Sequence, residues 1–452
     1  MASNLYLGVI NVFLLYYYTD VWGIKPEQAA FMFLITKIVD AISDPVMGLI
    51  SDRTQTRWGR YRPYLLWVAV PCALFGYLLF LGPELSPSGK LIYAYASYSL
   101  VMLAYTAINV PYSALLAVIS PSAEERTKAT QYRFIFASLG TILVGATTKP
   151  LVTYLGGGDE VMGFRFAMAI FAGISVLLFW FTFFSTRERI QPLPQPSNSP
   201  EGGEGSGGGI SDDFKVLLKN SSWVVLAISG ILVIVGLVSR ISSAPFYTKY
   251  YLELSDAKVL WWMDATTLMV TSGFVGQLLG ALASPSLLRI FEKRTLMIIA
   301  NIVAAISMCA TYAIPANLFP LIVTVYTIGV FAFGVIITLL FAMYTDCAEY
   351  GEWVSGKNNA GLTVSASMFS LKAGSAFGSA VPAAILAWVS FDKELPKQTV
   401  EAIGGIQVMF NVVPAVFFCI AGVLMLAYRI DRALLKQIET ELNARRAQAK
   451  EA

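Results

Sequence analysis

The sequence predicts an all-α polytopic membrane protein with twelve spanning helices. Of its 452 residues, 56% are hydrophobic and only 13% are charged, and the mean hydropathy is +0.63, which is far outside the range of soluble proteins. Stretches of about 20 apolar residues recur along the chain, and each is long enough to cross a bilayer as a helix. The predicted spans are 3–20, 29–50, 64–83, 91–118, 131–155, 163–186, 221–244, 259–285, 295–313, 318–345, 361–390 and 404–428.

The longest polar break divides these spans into two groups of six. It contains QPLPQPSNSPEGGEGSGGG, a composition rich in Pro, Gly and Ser that is typical of flexible linkers. We therefore predict four regions: an N-terminal bundle at 1–190, a linker at 191–220, a C-terminal bundle at 221–430 and a charged, helix-prone tail at 431–452.

The distribution of basic residues predicts that both termini are cytoplasmic. If the first span runs outward, the cytoplasmic loops and tail hold 20 of the 32 Lys and Arg residues. The net charge of +3 follows from this bias, so no nucleic-acid partner is indicated. The four cysteines have no paired spacing and histidine is absent, so the sequence predicts no metal site, disulfide framework or histidine proton relay.

The second span carries charged residues at membrane depth. Lys37, Asp40 and Asp44 are spaced to share one helix face. Counting back from Ser51 at about 1.5 Å per residue places Asp44 about 10 Å and Asp40 about 16 Å deep. Ionisable groups at that depth cost a few kcal/mol and usually line the path of an ion or solute. The face predicts a cation site; the alternative is that both acids only pair with Lys37 or Lys372 to hold helices together.

The loop after the second span combines one acid with several arginines. It begins with GLISDR and continues as TQTRWGRYRP, and an acidic stretch, DCAEYGE, follows the tenth span on the same side. Opposite charges at one membrane face can form a gate between two bundles, although a solvated run of charges is the alternative. The expected cytoplasmic gate comprises Asp52, Arg53, Arg57, Arg60, Glu349 and Glu352.

Longer strings resemble one known family. DAISDPVMG followed by DRTQTRWGRYRP is similar to the glycoside-pentoside-hexuronide:cation symporters of the major facilitator superfamily, and YYYTD, NVPYSAL, YRFIFASLG and LKAGSAFG match as well. The resemblance covers nearly the whole chain. It implies the major facilitator fold, in which two six-helix bundles rock about a central site, and it implies a transporter rather than an enzyme.

The resemblance also implies a site for the coupling cation. In that family two carboxylates of the second helix bind Na⁺, Li⁺ or H⁺, and hard oxygen ligands suit hard cations. A buried lysine lies between the cation and sugar sites; Lys372 matches it and would balance charge, together with Lys37. The implied cation-binding residues are Asp40, Asp44, Ser43 and Thr106.

A sugar site follows from the same resemblance. Asn4 and Asn109 stand where the melibiose carrier has aspartates, so the expected pocket is less acidic than in that carrier. Arg133 matches a sugar-binding arginine, but it could equally reach the inner surface. Arg240 is also expected nearby, and this basic set makes a hexuronide conceivable, with neutral pentosides or hexosides equally tenable. The implied sugar-binding residues are Asn4, Asn109, Tyr112, Arg133 and Lys372.

The sequence therefore predicts a cation:sugar symporter. It would import a glycoside, pentoside or hexuronide with Na⁺ or H⁺ by alternating access, as a monomer in a bacterial inner membrane and without a cofactor. A lysolipid or other small-solute carrier on the same fold is the alternative, and it would need a lateral opening and an apolar pocket. A membrane sensor or enzyme is a third class, but the chain shows neither a soluble domain nor a nucleophile–base motif.

Overall fold

The chain folds almost entirely into helices. The structure, a computed structural model, describes residues 1–119, 123–189, 217–218, 220–254, 258–260, 262–355, 360–393, 395 and 397–451. The side chains of Lys37 and Asp52, and most of the predicted linker, lie outside the described residues.

Six spans form the first bundle. In chain order their elements are α1 (Ala2–Tyr16) with a π-helical turn (Tyr17–Val21), α2 (Pro26–Arg53), α3 (Arg62–Trp67), α4 (Ala69–Leu79), α5 (Pro87–Val118), α6 (Ala123–Gly156) and α7 (Glu160–Ser185).

The second bundle has the same number of spans and a short hairpin. Its elements are α8 (Ser221–Phe246) with a π-helical turn (Tyr247–Tyr251), β1 (Lys258–Leu260), β2 (Met263–Asp264), α9 (Ala265–Ile290), α10 (Lys293–Ala313), a 3₁₀ turn (Ala316–Leu318), α11 (Phe319–Ser355), α12 (Ala360–Trp388), α13 (Val400–Gln407), a π-helical turn (Val408–Val412), α14 (Val413–Leu424), a 3₁₀ turn (Met425–Ala427) and α15 (Arg432–Glu451).

Two predicted spans differ from the structure. The third is divided between α3 and α4, because Pro71 has no N–H for the carbonyl of Trp67 and its ring crowds that carbonyl. The eighth begins at Ala265 rather than 259, since β1 and β2 pair antiparallel there and Asp264 accepts a hydrogen bond from the Thr267 amide at 2.7 Å, which caps the helix. The helical tail is confirmed as α15.

The other predicted spans coincide with helices. Within the described residues, nine helical spans are long and apolar enough to cross a membrane by length and composition alone. The π-interrupted α1, the charged α2 and the divided α3–α4 occupy the remaining three predicted positions.

Among the described residues, the two bundles meet mainly along three helix pairs. These are α1 with α8, α2 with α12 and α6 with α9. We call the end where α7 finishes and α8 starts the linker end, and the opposite end, which carries β1 and β2, the hairpin end. One buried apolar cluster fills the first bundle and continues into the second near the hairpin end, and another fills the rest of the second bundle.

Glycines of α12 set the position of one functional side chain. A Cβ atom added to Gly374 would lie 2.8 Å from the backbone oxygen of Ile231 in α8, and one added to Gly378 would lie 3.0 Å from that of Val235. Only glycine permits so close a helix approach. This packing fixes α12 against α8, and Lys372, two residues before Gly374, is held toward α2.

Candidate functional site

Both predicted aspartates and Thr106 form one cluster between α2 and α5. Thr106 Oγ1 lies 3.1 Å from Asp40 Oδ1 and 3.0 Å from Asp44 Oδ1, so its hydroxyl can donate to either carboxylate. Ser43 Oγ donates to the backbone oxygen of Asp40 at 2.9 Å and lies 3.4 Å from Thr106 Oγ1. The structure thus brings together all four residues of the expected cation site, and their hard oxygens are the ligand type that alkali cations prefer.

Lys372 connects α12 of the second bundle to this cluster. Its ammonium group donates to Asp44 Oδ2 and lies 3.5 Å from Asp40 Oδ2. The Asp40 side chain is only 4% exposed, whereas those of Asp44 and Lys372 are 30% and 35% exposed. Asp40 is therefore the deep member, and Asp44 with Lys372 faces the space between the bundles. A cation that uses both carboxylates must compete with the lysine.

A polar cavity of about 320 Å³ lies close to this cluster, between the bundles. None of its described lining residues is acidic. Three of them come from α9 of the second bundle. The lining is Met1, Ser3, Asn4, Tyr105, Asn109, Tyr112, Arg133, Ala137, Ser138, Thr141, Phe274, Gln277 and Leu278.

Four of the five predicted sugar-binding residues line this cavity. Asn4, Asn109, Tyr112 and Arg133 do so, whereas Lys372 lies against the aspartates instead. The other polar residues of the lining were not predicted from the sequence. Glutamine inside a spanning helix is the one available signal, because such a side chain is costly in lipid; it would have indicated Gln277.

Local hydrogen bonds hold the cavity side chains in place. The Asn4 amide donates at 3.0 Å to both Ala137 O and Thr141 Oγ1, so α1 is tied to α6 and the Asn4 carbonyl oxygen is left as an acceptor. The Asn109 amide donates to Tyr105 Oη at 2.9 Å, one helical turn away on α5.

Arg133 brings a positively charged side chain to the cavity. It donates to Ser113 Oγ at 2.9 Å, and its guanidinium carbon lies 4.8 Å from the centre of the Tyr112 ring. Stacking on an aromatic face leaves the edge of a guanidinium group free to hydrogen-bond hydroxyls or a carboxylate.

Arg240 does not join the cavity, so the expectation that it would lie near the sugar is wrong. It is 1% exposed inside the second bundle, where its guanidinium lies 4.7 Å from the Tyr326 ring centre and 5.0 Å from that of Phe410. It donates to Thr311 Oγ1 at 3.4 Å. Aromatic faces on α11 and after α13 attract the guanidinium into the bundle core.

A charged cluster joins the bundles at the hairpin end. Lys249 and Tyr250, which follow α8, both donate to Asp20, which follows α1. Lys249 Nζ also donates to Tyr16 Oη at 3.1 Å, and Tyr16 donates to Glu160 Oε2 at 2.8 Å. Tyr16 is buried at this end of the bundle. This end is closed by bonds between the two bundles.

At the linker end the arginine loop is held by its own bundle. Glu188 accepts hydrogen bonds from the amides of Arg60, Tyr61 and Arg62 at 2.8 to 3.0 Å. The Arg57 guanidinium lies 4.3 Å from the centre of the Trp58 ring.

Two of the three acids of the expected gate belong to the second bundle. Arg53 ends α2, and Glu349 and Glu352 lie on the last turns of α11. Asp346 there binds Lys293 at 2.6 Å. A gate built from both bundles stays a prediction, since the Asp52 side chain lies outside the described residues.

Twelve spans in two six-helix bundles, with a polar cavity and a carboxylate cluster between them, define a membrane transporter of the major facilitator fold. A family model of MFS/sugar transport proteins matches residues 1–432. The chain belongs to the glycoside-pentoside-hexuronide:cation symporter family, as the sequence motifs had indicated, and this makes it a transporter rather than an enzyme.

Individual relatives agree with this assignment. The chain is 32% identical to "Uncharacterized symporter YnaJ" of Bacillus subtilis (strain 168), covering 98% of this chain and 92% of that protein. It is 29% identical to the isoprimeverose transporter of Lactiplantibacillus pentosus, covering 99% and 90%. The crystal structure of the D-xylose-proton symporter is similar in fold, with a TM-score of 0.67 at 14% identity, and covers 95% of this chain and 96% of that one.

Proposed function

We propose that this protein is a cation-driven sugar symporter in which α5 connects the cation site to the sugar site. The proposal rests on the spacing of functional side chains along α5. Thr106 contacts both aspartates, while Tyr105 and Asn109, within one turn of it, line the polar cavity. A structural change at the two carboxylates can therefore be transmitted to the cavity through α5.

Alternating access fits the arrangement of the bundles. The hairpin end is closed by the contacts of Asp20 with Lys249 and Tyr250. A second cavity of about 450 Å³ shares Arg133 and Tyr112 with the polar cavity and extends to Thr186 at the linker end. If the linker end is cytoplasmic, as the distribution of basic residues predicts, this shape is the inward-facing one.

The lining chemistry favours a hydroxylated solute, neutral or anionic. Amides and hydroxyls both donate to and accept from sugar hydroxyls, and Arg133 can bind a carboxylate bidentately. The isoprimeverose transporter among the relatives supports a glycoside. We place the protein in a bacterial inner membrane as a monomer with both termini inside, carrying Na⁺ or H⁺ with its sugar.

Uptake into liposomes tests the proposal. Purified protein is reconstituted, and accumulation of labelled pentosides, hexosides, hexuronides and lysolipids is measured under an imposed Na⁺ gradient and, separately, a proton gradient. We expect concentrative uptake of a sugar under one of the gradients. Lysolipid transport without sugar transport would instead support the lysolipid carrier.

Asn109→Ala and Arg133→Ala should each weaken sugar binding by about 1–3 kcal/mol, because each removes a hydrogen-bonding group from a partly buried cavity. Calorimetry with the transported sugar measures this. Cation affinity in the absence of sugar serves as the internal control and should change little. If both variants bind sugar as tightly as the wild type, the sugar site is elsewhere.

Asp20→Asn should favour the shape that is open at the hairpin end, because it removes the charge that holds Lys249 of the other bundle. The readout is labelling of Thr141→Cys, in a background without native cysteines, by a membrane-impermeant thiol reagent added outside. We expect faster labelling in the Asp20 variant. Asp159→Asn is the matched control, since Asp159 caps α7 at the same end. Equal labelling rates in Asp20→Asn and in the wild type would argue that Asp20 does not hold the hairpin end closed.

A further inference from the structure

One face of α9 contacts α6 beside the polar cavity and also contributes side chains to the cavity lining. Val270, Phe274 and Gln277 are spaced four and three residues apart and therefore share a helix face. A Cβ atom added to Gly145 of α6 would lie 3.1 Å from Phe274 and 3.2 Å from Val270. The absence of a side chain at Gly145 thus lets the two bundles meet closely, on the side of the cavity that faces the hairpin end.

Gln277 lies one turn from this contact, toward the linker end, where the cavity begins. Its side chain is partly buried and lines the cavity. Among the described lining residues from the second bundle, Phe274 and Leu278 are apolar, so Gln277 alone offers a polar side chain from that side.

Across the cavity the polar groups belong to the first bundle. Asn109 and Thr141 are engaged with neighbours of their own bundle, as is one nitrogen of Arg133. By contrast, no hydrogen bond of the Gln277 side-chain amide is found among the described residues. A partly buried amide gains from a partner that can both donate and accept, and a sugar hydroxyl does both.

We propose that Gln277 is a sugar ligand, and that the bound sugar spans the two bundles from Asn109 and Arg133 to Gln277. This inference rests on the proposed sugar symport. Its consequence concerns the transport cycle: the sugar can make the full set of contacts only when α9 lies against α6. Sugar binding then stabilises the closed contact between Phe274 and Gly145, because a ligand favours the shape in which it has more contacts.

The test uses full-length protein and a sugar that the wild type transports. Gln277→Ala should weaken sugar binding about tenfold at saturating cation, while cation binding without sugar stays unchanged. Gln407→Ala is the matched control, because Gln407 is a glutamine of the same bundle that donates to Tyr312 O outside the cavity. Wild-type sugar affinity in Gln277→Ala would overturn the proposal.

A second variant separates a ligand from a merely structural residue. Gln277→Glu keeps the size of the side chain but introduces negative charge, so it should weaken binding of a hexuronide more than binding of a neutral sugar. An equal change for both sugars, or no change, would count against a direct contact. If Gln277→Ala fails to fold, the Gln277→Glu variant tests the contact between Gln277 and the sugar on its own. Failure of the wild type to bind or accumulate any sugar would refute the proposed function itself, and these two outcomes are therefore distinguishable.

Discussion

Asp44→Asn is expected to abolish cation-driven accumulation of sugar, and Asp40→Asn to do the same. Each substitution removes a hard-oxygen ligand and one of the two negative charges that attract the cation. Thr106 Oγ1 can still donate to the amide oxygen, so the helices should remain packed and exchange of sugar down its gradient should survive in part. Accumulation and counterflow in liposomes measure the two activities separately.

Asp159→Asn provides the control for a neutralised acid. Asp159 caps α7 at the hairpin end, and asparagine caps a helix about as well. This variant should accumulate sugar like the wild type. Wild-type accumulation by either Asp40→Asn or Asp44→Asn would show that the cation binds elsewhere and that the two acids serve only to hold α2 against α5 and α12.

Lys372→Ala is expected to uncouple transport from the cation gradient. The ammonium group bridges both carboxylates and joins α12 to α2, so its loss leaves two neighbouring acids with one fewer positive neighbour and removes a link between the bundles. A double-mutant cycle should give a coupling free energy of about 0.5–3 kcal/mol between Lys372 and Asp44, measured from cation-stimulated sugar binding. Combining Lys372→Ala with Asp44→Asn should restore expression relative to the lysine variant alone.

Lys436→Ala with Asp44→Asn is the reference pair for that cycle. Lys436 is exposed on α15, far along the chain from the cluster, and its effect should simply add to that of Asp44→Asn. If the effect of Lys372→Ala also adds strictly to those of Asp40→Asn and Asp44→Asn, the lysine is not the functional partner of the two aspartates.

The sequence was sufficient for most of the spans and for the carboxylate cluster, for physical reasons. Apolar stretches of bilayer length are clear signs of spanning helices. An acid at membrane depth is so rare that it indicates a functional site even before a structure is known. Asp40, Asp44 and Thr106 were therefore identified as potential partners, although Thr106 needed the family resemblance. The interruption at Pro71 was also readable in principle, because proline removes a helix hydrogen bond.

Contacts between distant helices could not be predicted in this way. Arg240 was expected near the sugar because it is basic and lies within a span, but the direction of its side chain depends on Tyr326 and Phe410, which come from other helices. The contact between Asp20 and Lys249 joins residues more than 200 positions apart, so their pairing depends on how the two bundles pack. The sequence could have marked Gln277 as a polar residue within a span, but its position in the cavity depends on the packing of α9 against α6.

Reciprocal affinity is the most direct test of the symport mechanism. Calorimetry on the purified protein gives the sugar dissociation constant with and without saturating Na⁺, at two pH values, and the Na⁺ dissociation constant with and without saturating sugar. Coupled sites require that each ligand tighten the other by the same factor, which we expect to be about fivefold or more. If protons are the coupling ion, the tightening should follow pH instead of Na⁺. A sugar affinity that is independent of Na⁺ and of pH would contradict the account.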